Sequence, residues 1–270
     1  MSDQHITLPA LLKRNAERYG DKRVAIREKE FGIWQSVTWQ GYYENVRDFA
    51  LGLQQLGFER GNNLAYAGDN RPQGLYAELA VQALGGAVVG IYPDSHLEQV
   101  AYIINHSDSI FLVAGDQEQA DKVLELKSTC PGVKKVIVDD PKGMRHYDDP
   151  ILAFFKDIQK SGRQVANEQP RLFDDMIASV SPDDVGMINY TSGTTGLPKG
   201  SMITQKNMVA VARLQDALQA VRAPGGAQAR EIGHRRAGDG ALIGAVRPHN
   251  RGGSGNCSGT NSWSKTGITL

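Results

Sequence analysis

Cysteine is scarce in this 270-residue sequence, which contains only two. Cys130 and Cys257 stand far apart, with no C-x-x-C pair and no paired histidines at metal-ligand spacing. This pattern argues against a disulfide-stapled fold and against a zinc site, so we assign no side chain as a metal ligand. The first residues lack the basic and apolar regions of a secretory signal, and we therefore expect a cytoplasmic protein.

Net charge and long hydrophobic runs are also missing. The 30 basic residues balance 30 acidic ones, so composition predicts no general attraction to nucleic acid. The longest mostly apolar stretch, residues 79–92, is shorter than the roughly 20 residues that a membrane-spanning helix needs. These observations leave peripheral membrane contact open, and they identify no protein partner.

Apolar periodicity is the main signal that the sequence does carry. Helical and strand patterns alternate from the N-terminus to about residue 190, which predicts an α/β fold, a layered αβα arrangement around a mainly parallel sheet. We expect helices at 8–19, 38–56, 72–84, 97–105, 118–127, 151–159 and 172–179, and strands at 23–27, 34–39, 64–67, 87–92, 110–113, 136–138 and 185–188.

After residue 200 a further helix is predicted, and then the pattern stops. Val211, Leu214, Leu218 and Val221 share one helical face, which we interpret as core. Residues 222–270 are rich in glycine and arginine and show no apolar period, which is typical of a disordered segment. A nucleic-acid-binding arm is the alternative for its arginines, and a solvated tail is favoured over it. We therefore divide the chain into 1–221 and 222–270.

Residues 190–200, which read YTSGTTGLPKG, form the most informative segment. Glycines let a backbone approach an anion, and hydroxyls and an ammonium supply further donors, so the segment predicts a polyphosphate-binding loop. Its spacing, G-x-x-G-x-x-K-G, differs from that of a Walker A loop and excludes an ordinary P-loop ATPase. The alternative, a surface loop without a ligand, would require ten specified positions to match by accident.

This segment resembles the AMP-binding signature of the adenylate-forming superfamily, which includes acyl-CoA synthetases, peptide-synthetase adenylation domains and luciferases. Ser201 replaces the usual Val or Ala, and Gln205 replaces a frequent His, but neither change removes a phosphate donor. Three further stretches, residues 68–73, 85–95 and 139–150, are similar to long-chain fatty acyl-CoA synthetases. Glycines in the second stretch could instead serve only close helix-to-strand packing.

The resemblance implies an AMP-forming ligase. A carboxylate attacks the α-phosphate of ATP to give acyl-AMP and pyrophosphate, and the thiol of coenzyme A then displaces AMP. In this scheme Mg²⁺ shares the phosphate charge and Lys199 stabilises the departing pyrophosphate. The implied phosphate-binding residues are Thr191, Ser192, Gly193, Thr194, Thr195, Gly196 and Lys199.

The resemblance covers residues 7–221 and corresponds to the N-terminal part of an adenylation domain. The family's Tyr-x-x-Thr-Glu motif, its ribose-binding Asp and its C-terminal Lys are not found after Val221. We therefore expect a truncated, inactive fragment, and a reading frame lost near Arg222 is the simplest hypothesis. A non-catalytic nucleotide-binding module and an enzyme for another carboxylic acid are the alternatives.

Overall fold

The computed structural model describes residues 6–30, 32–191 and 197–222, with side chains up to residue 214. The helices are α1 (Leu8–Tyr19), α2 (Trp39–Gln55), α3 (Pro72–Ala83), α4 (Leu97–His106), α5 (Gln117–Glu125), α6 (Phe155–Glu168), α7 (Leu172–Ser179) and α8 (Gln205–Arg222). The strands are β1 (Val24–Glu30), β2 (Ile33–Thr38), β3 (Asn63–Ala67), β4 (Ala87–Ile91), β5 (Ser109–Ala114), β6 (Lys135–Val138), β7 (Leu152–Phe154), β8 (Val185–Thr191) and β9 (Lys199–Thr204).

Seven of these strands form one sheet in the order β7-β6-β5-β3-β4-β8-β9. Every neighbouring pair is parallel except β8 and β9, which form an antiparallel hairpin at the edge. The carboxyl ends of β3 to β8 consequently meet along one edge of the sheet. Strands β1 and β2 form a separate antiparallel pair.

Helices cover both faces of the large sheet, so its central strands β3 to β6 are mostly buried on both sides. On β3, Leu64 and Tyr66 pack with α1, α2, α3 and α6, whereas Ala65 and Ala67 pack with α4 and α5. Successive side chains of a strand point to opposite faces, and this alternation divides the core in two. The predicted αβα layering around a mainly parallel sheet is confirmed.

Local signals explain several helix ends. The Thr38 hydroxyl accepts a hydrogen bond from the Gly41 N–H at 3.0 Å and so caps α2. Thr7 caps α1 in the same way, with Pro9 in the first turn. Gly20, with φ of 49°, ends α1 in a backbone conformation that other residues rarely adopt.

Helices α2 and α6 cross at very short range. A Cβ atom at Gly162 would lie 1.8 Å from the Asp48 carbonyl oxygen, and one at Gly52 would lie 2.2 Å from the Ile158 carbonyl oxygen. The Asp48 carboxylate is fully buried there and pairs with the Arg163 Nε atom at 2.8 Å. Two glycines and one ion pair therefore fix this crossing.

Two short strands were absent from the sequence prediction. β7 precedes α6, which begins at Phe155 rather than 151 and ends at Glu168 rather than 159. β9 separates the predicted phosphate loop from α8. Strands of three and six residues on a sheet edge carry too little apolar periodicity to be recognised without their partners.

The predicted core face of α8 is wrong at the positions that the structure describes. Val211 and Leu214 are 57% and 60% exposed, whereas Val209 and Ala212 are buried. Gln205 is buried on the same face as these two, and its hydrogen bonds set the rotation of the helix. Leu218 and Val221 lie outside the described side chains, and residues 223–270 lie outside the described chain.

Among the described helices, none combines the length and the apolar character required to cross a membrane.

Candidate functional site

The hairpin of β8 and β9 carries the described part of the predicted phosphate-binding segment. Thr191 pairs with Lys199 and Tyr190 pairs with Gly200 across the hairpin. The structure thus brings together two sequence-predicted residues, Thr191 and Lys199, at the carboxyl edge of the sheet. The other predicted residues, 192–196, lie outside the described residues.

Lys199 is exposed at this edge, and Thr191 opposite it is exposed as well. Within the described part of the chain, the Lys199 ammonium has no carboxylate within ion-pair distance. Because directly opposite residues of an antiparallel pair project from the same face, the Thr191 hydroxyl and the Lys199 ammonium lie on one face of the hairpin. This pair can donate hydrogen bonds to an anionic ligand.

Two of the other sequence stretches meet further along the same edge. The Arg71 Nη1 atom lies 3.4 Å from the Asp139 Oδ2 atom, and the Arg71 Nε atom lies 3.3 Å from the Glu28 Oε1 atom. Burial raises the pKa of Asp139 to about 6, although the Arg71 guanidinium opposes the shift. These contacts join β1, the start of α3 and the end of β6.

The glycines of residues 85–95 serve packing in part. A Cβ atom at Gly86 would lie 2.4 Å from the Asn62 carbonyl oxygen, so this position accepts no side chain. Gly85 has φ of 72°, which favours glycine. Gly90 has open space at its Cβ position, so close packing does not explain it.

A series of buried hydrogen bonds links the start of α8, which follows β9, to α1 and α3. The Gln205 Oε1 atom accepts from the Leu8 N–H at 2.9 Å, and the Gln205 Nε2 atom donates to the Gln82 Oε1 atom at 3.0 Å. The Gln82 Nε2 atom then donates to the Glu78 Oε1 atom at 3.1 Å. These hydrogen bonds connect α1, α3 and the start of α8. Gln205, which stands where the family frequently has His, therefore bonds to both α1 and α3.

Glu78 lies in apolar surroundings. It borders a cavity of about 210 Å³ whose walls include Leu8, Leu79 and Met208. Burial raises the pKa of Glu78 to about 7, and the hydrogen bond from Gln82 opposes this shift. Sequence reasoning did not single out Glu78 and Gln82. Their signal was two polar residues four positions apart within the apolar stretch 75–83 of α3, which indicates a buried polar pair.

The described residues include no group of three or more His, Cys, Asp or Glu side chains placed to hold a metal ion. The described side chains of the predicted site, those of Thr191 and Lys199, are hydrogen-bond donors. Ligands of open α/β sheets bind at the carboxyl ends of the strands, and Thr191 and Lys199 lie at these ends in an α/β protein with a mainly parallel sheet.

The chain belongs to the AMP-binding enzyme family, whose pattern it matches over residues 12–230. It is 30% identical over 205 residues to the long-chain-fatty-acid–CoA ligase ACSBG2 of Xenopus laevis, covering 75% of this chain and 27% of that protein. It is 29% identical over 208 residues to ACSBG1 of Bos taurus, covering 77% and 28%. The chain thus spans less than a third of the length of these relatives.

Solved structures show the same fold. A long-chain-fatty-acid CoA ligase homologue from Rhodopseudomonas palustris CGA009 superposes with a TM-score of 0.61 at 21% identity, covering 81% of this chain and 49% of that one. The anthranilate CoA ligase AuaEII, in complex with anthranoyl-AMP, superposes with a TM-score of 0.65 at 19% identity, covering 82% and 38%. The α/β architecture is therefore that of adenylate-forming domains.

Proposed function

We propose that this chain carries the nucleotide-phosphate site of an AMP-forming ligase that joins a long-chain fatty acid to coenzyme A. The pairing of Thr191 with Lys199 across the hairpin carries the proposal. That pairing places a hydroxyl and an exposed ammonium at the edge where α/β sheets bind their ligands. The names of the curated relatives support the fatty acid as substrate.

The part of these residues in the reaction is electrostatic. During the first half-reaction the substrate carboxylate forms a bond to the α-phosphorus. The bond from that phosphorus to the α,β-bridging oxygen breaks, and the β- and γ-phosphates leave together as pyrophosphate. The Lys199 ammonium and the Thr191 hydroxyl donate to phosphate oxygens, and they stabilise the negative charge that grows on the pyrophosphate. No protein nucleophile is required.

Mg²⁺ neutralises phosphate charge when it accompanies the nucleotide. The described residues offer it no cluster of carboxylates, so we assign none of them as its ligand. Coenzyme A is proposed as the acyl acceptor from the family alone, and we assign it no described residue. A cytoplasmic location and the partition at residue 221 are proposed on the sequence grounds given above.

Isothermal titration of the full chain with MgATP tests the site. We expect Lys199→Ala to weaken binding about 10-fold to 100-fold, because one charge-assisted hydrogen bond contributes roughly 1.5 to 3 kcal/mol. Lys134→Ala is the matched control. This exposed lysine immediately precedes β6, so it lies at the amino ends of the strands, away from Lys199. Equal affinity in the two variants, or no binding by the unaltered chain, would refute the proposal.

ATP–pyrophosphate exchange with a long-chain fatty acid distinguishes a catalytic ligase from a non-catalytic nucleotide-binding module. Exchange that depends on the fatty acid and is lost in Lys199→Ala supports the ligase. Lys199-dependent ATP binding without exchange supports a nucleotide-binding module instead. Exchange only with an aromatic acid or an amino acid would keep the reaction and change the substrate.

A further inference from the structure

Helix α4 contacts both stems of the hairpin. The Tyr102 hydroxyl donates a hydrogen bond to the Pro198 carbonyl oxygen at 3.0 Å. One turn later, the His106 Nδ1 atom lies 2.6 Å from the Tyr190 hydroxyl. Tyr190 is the penultimate residue of β8, and Pro198 directly precedes β9. Two side chains on one helix face therefore bind the chain on both sides of residues 192–196.

Ring packing reinforces these two hydrogen bonds. The Tyr102 and His106 rings stack with centroids 5.2 Å apart. Tyr190 meets both rings edge-on, at 6.3 Å from Tyr102 and 5.7 Å from His106. Edge-to-face geometry is a favoured arrangement for aromatic pairs. The three rings form one cluster, which we call the α4 clamp and define as Tyr102, His106 and Tyr190.

Gly200 leaves room for this cluster. It pairs with Tyr190 across the hairpin, and a Cβ atom there would lie 3.2 Å from the Tyr190 Cζ atom. The Cζ atom carries the hydroxyl that reaches His106. A side chain at position 200 would therefore press on the ring at the carbon that bears the hydrogen-bonding hydroxyl.

The Tyr190 hydroxyl can donate to the His106 Nδ1 atom or accept from it, according to the imidazole tautomer. Burial raises the pKa of Tyr190 above its usual value, and the nearby Tyr102 and Asp108 raise it further. The hydroxyl is then protonated at neutral pH, so it is available for this hydrogen bond.

We propose that Tyr102 and His106 are positioning residues for nucleotide binding. By fixing both stems of the hairpin, they hold Thr191 and Lys199 in the relative placement that a phosphate group requires. The inference rests on the proposed function, because it needs the hairpin to bind the nucleotide. Its physical basis is preorganisation: a site that is already ordered loses less conformational entropy on binding. Neither residue belongs to the signature segment, and Tyr102 lies 96 positions before Pro198.

Tyr102→Phe is the principal test, because it removes only the hydroxyl and retains the ring. We expect MgATP to bind this variant about 3-fold to 10-fold more weakly, as the loss of one neutral hydrogen bond implies. The matched control is Tyr43→Phe, which removes a hydroxyl bonded to the Asp174 Oδ1 atom at 2.6 Å between α2 and α7, away from the hairpin. Titration calorimetry and thermal melting are both measured, and the control is expected to change the melting temperature without changing affinity.

His106 provides a rescue test. His106→Leu removes the imidazole that bonds the Tyr190 hydroxyl, whereas His106→Asn retains an amide group close to the position of the Nδ1 atom. We expect weakened MgATP binding in the first variant and recovery of most of it in the second, with similar melting temperatures. A purely structural role would make affinity follow the melting temperature in both variants, and this outcome would overturn the proposal.

The two proposals fail in different ways. If Lys199→Ala loses binding while Tyr102→Phe and His106→Leu bind MgATP like the unaltered chain, the clamp is refuted and the phosphate site stands. If the unaltered chain binds no MgATP, both are refuted.

Discussion

The crossing of α2 with α6 and the β8–β9 hairpin are built on opposite principles. At the crossing, backbone meets backbone: Gly52 and Gly162 admit no Cβ atom, and the buried Asp48 carboxylate is neutralised beside them. At the hairpin, an edge strand is held by side chains from α4, and Lys199 is left without a described carboxylate partner. The first region holds close backbone packing and the second carries the proposed phosphate site, so substitutions should separate stability from MgATP binding.

Gly162→Ala should have the largest effect. The new methyl group would meet the Asp48 carbonyl oxygen at 1.8 Å, and because this is backbone, α2 and α6 must move apart. We expect the free energy of unfolding to fall by about 3 kcal/mol or more, as measured by urea denaturation. Gly132→Ala, at a position with open space, should change it by less than about 0.5 kcal/mol. Equal stability of the two variants would contradict the interpretation of the crossing.

Glu78→Gln examines the buried hydrogen bonds that link Gln205, Gln82 and Glu78. Because burial raises the pKa of Glu78 from 4.5 to about 7, the folded state holds this proton more tightly than the unfolded state does. The contribution of Glu78 to stability is therefore complete below pH 4.5 and is lost as the pH rises towards 7. The variant, which is always neutral, should be more stable than the unaltered chain at pH 8 by about 2 to 3 kcal/mol and lack this loss.

Urea denaturation at pH 5 and pH 8 measures that difference. The control is Glu125→Gln, which changes an exposed carboxylate and should retain the pH dependence of the unaltered chain. A Glu78→Gln variant with the same pH dependence as the control would show that the buried carboxyl is ionised throughout this range.

Gly200→Ala makes the same glycine-to-alanine change in the hairpin. Of the three test substitutions, it should have the smallest effect on stability. Its methyl group would lie 3.0 Å from the Ile188 Cγ2 atom and 3.2 Å from the Tyr190 Cζ atom, and these side chains can move by a few tenths of an ångström. We expect less than about 1 kcal/mol of lost stability, together with weaker MgATP binding because Tyr190 is displaced from His106. Unchanged affinity for MgATP in calorimetry would show that Gly200 does not act through the α4 clamp.

Local signals made most of the fold predictable. The bounds of α1 and α7 agree with the sequence prediction, because Thr7 and Gly20 mark the ends of α1 and apolar spacing marks α7. The same reasoning failed for α8, where Val211 and Leu214 are exposed. Periodicity identifies the faces of a helix, but the neighbours decide which face is buried, and here the bonds of Gln205 to Gln82 and Leu8 decide it.

The amino-acid sequence by itself determined the class of the fold, the family and the segment that holds Thr191 and Lys199. These follow from patterns within short stretches of chain, where hydrophobic period, helix caps and the spacing of donors act locally. Only the tertiary structure decided that Thr191 faces Lys199, that α4 holds both stems of their hairpin, and that Glu78 is buried. The contacts of α4 with the hairpin and of Gln82 with Gln205 span 84 to 123 positions, and they arise only when the folded sheet brings these distant segments together.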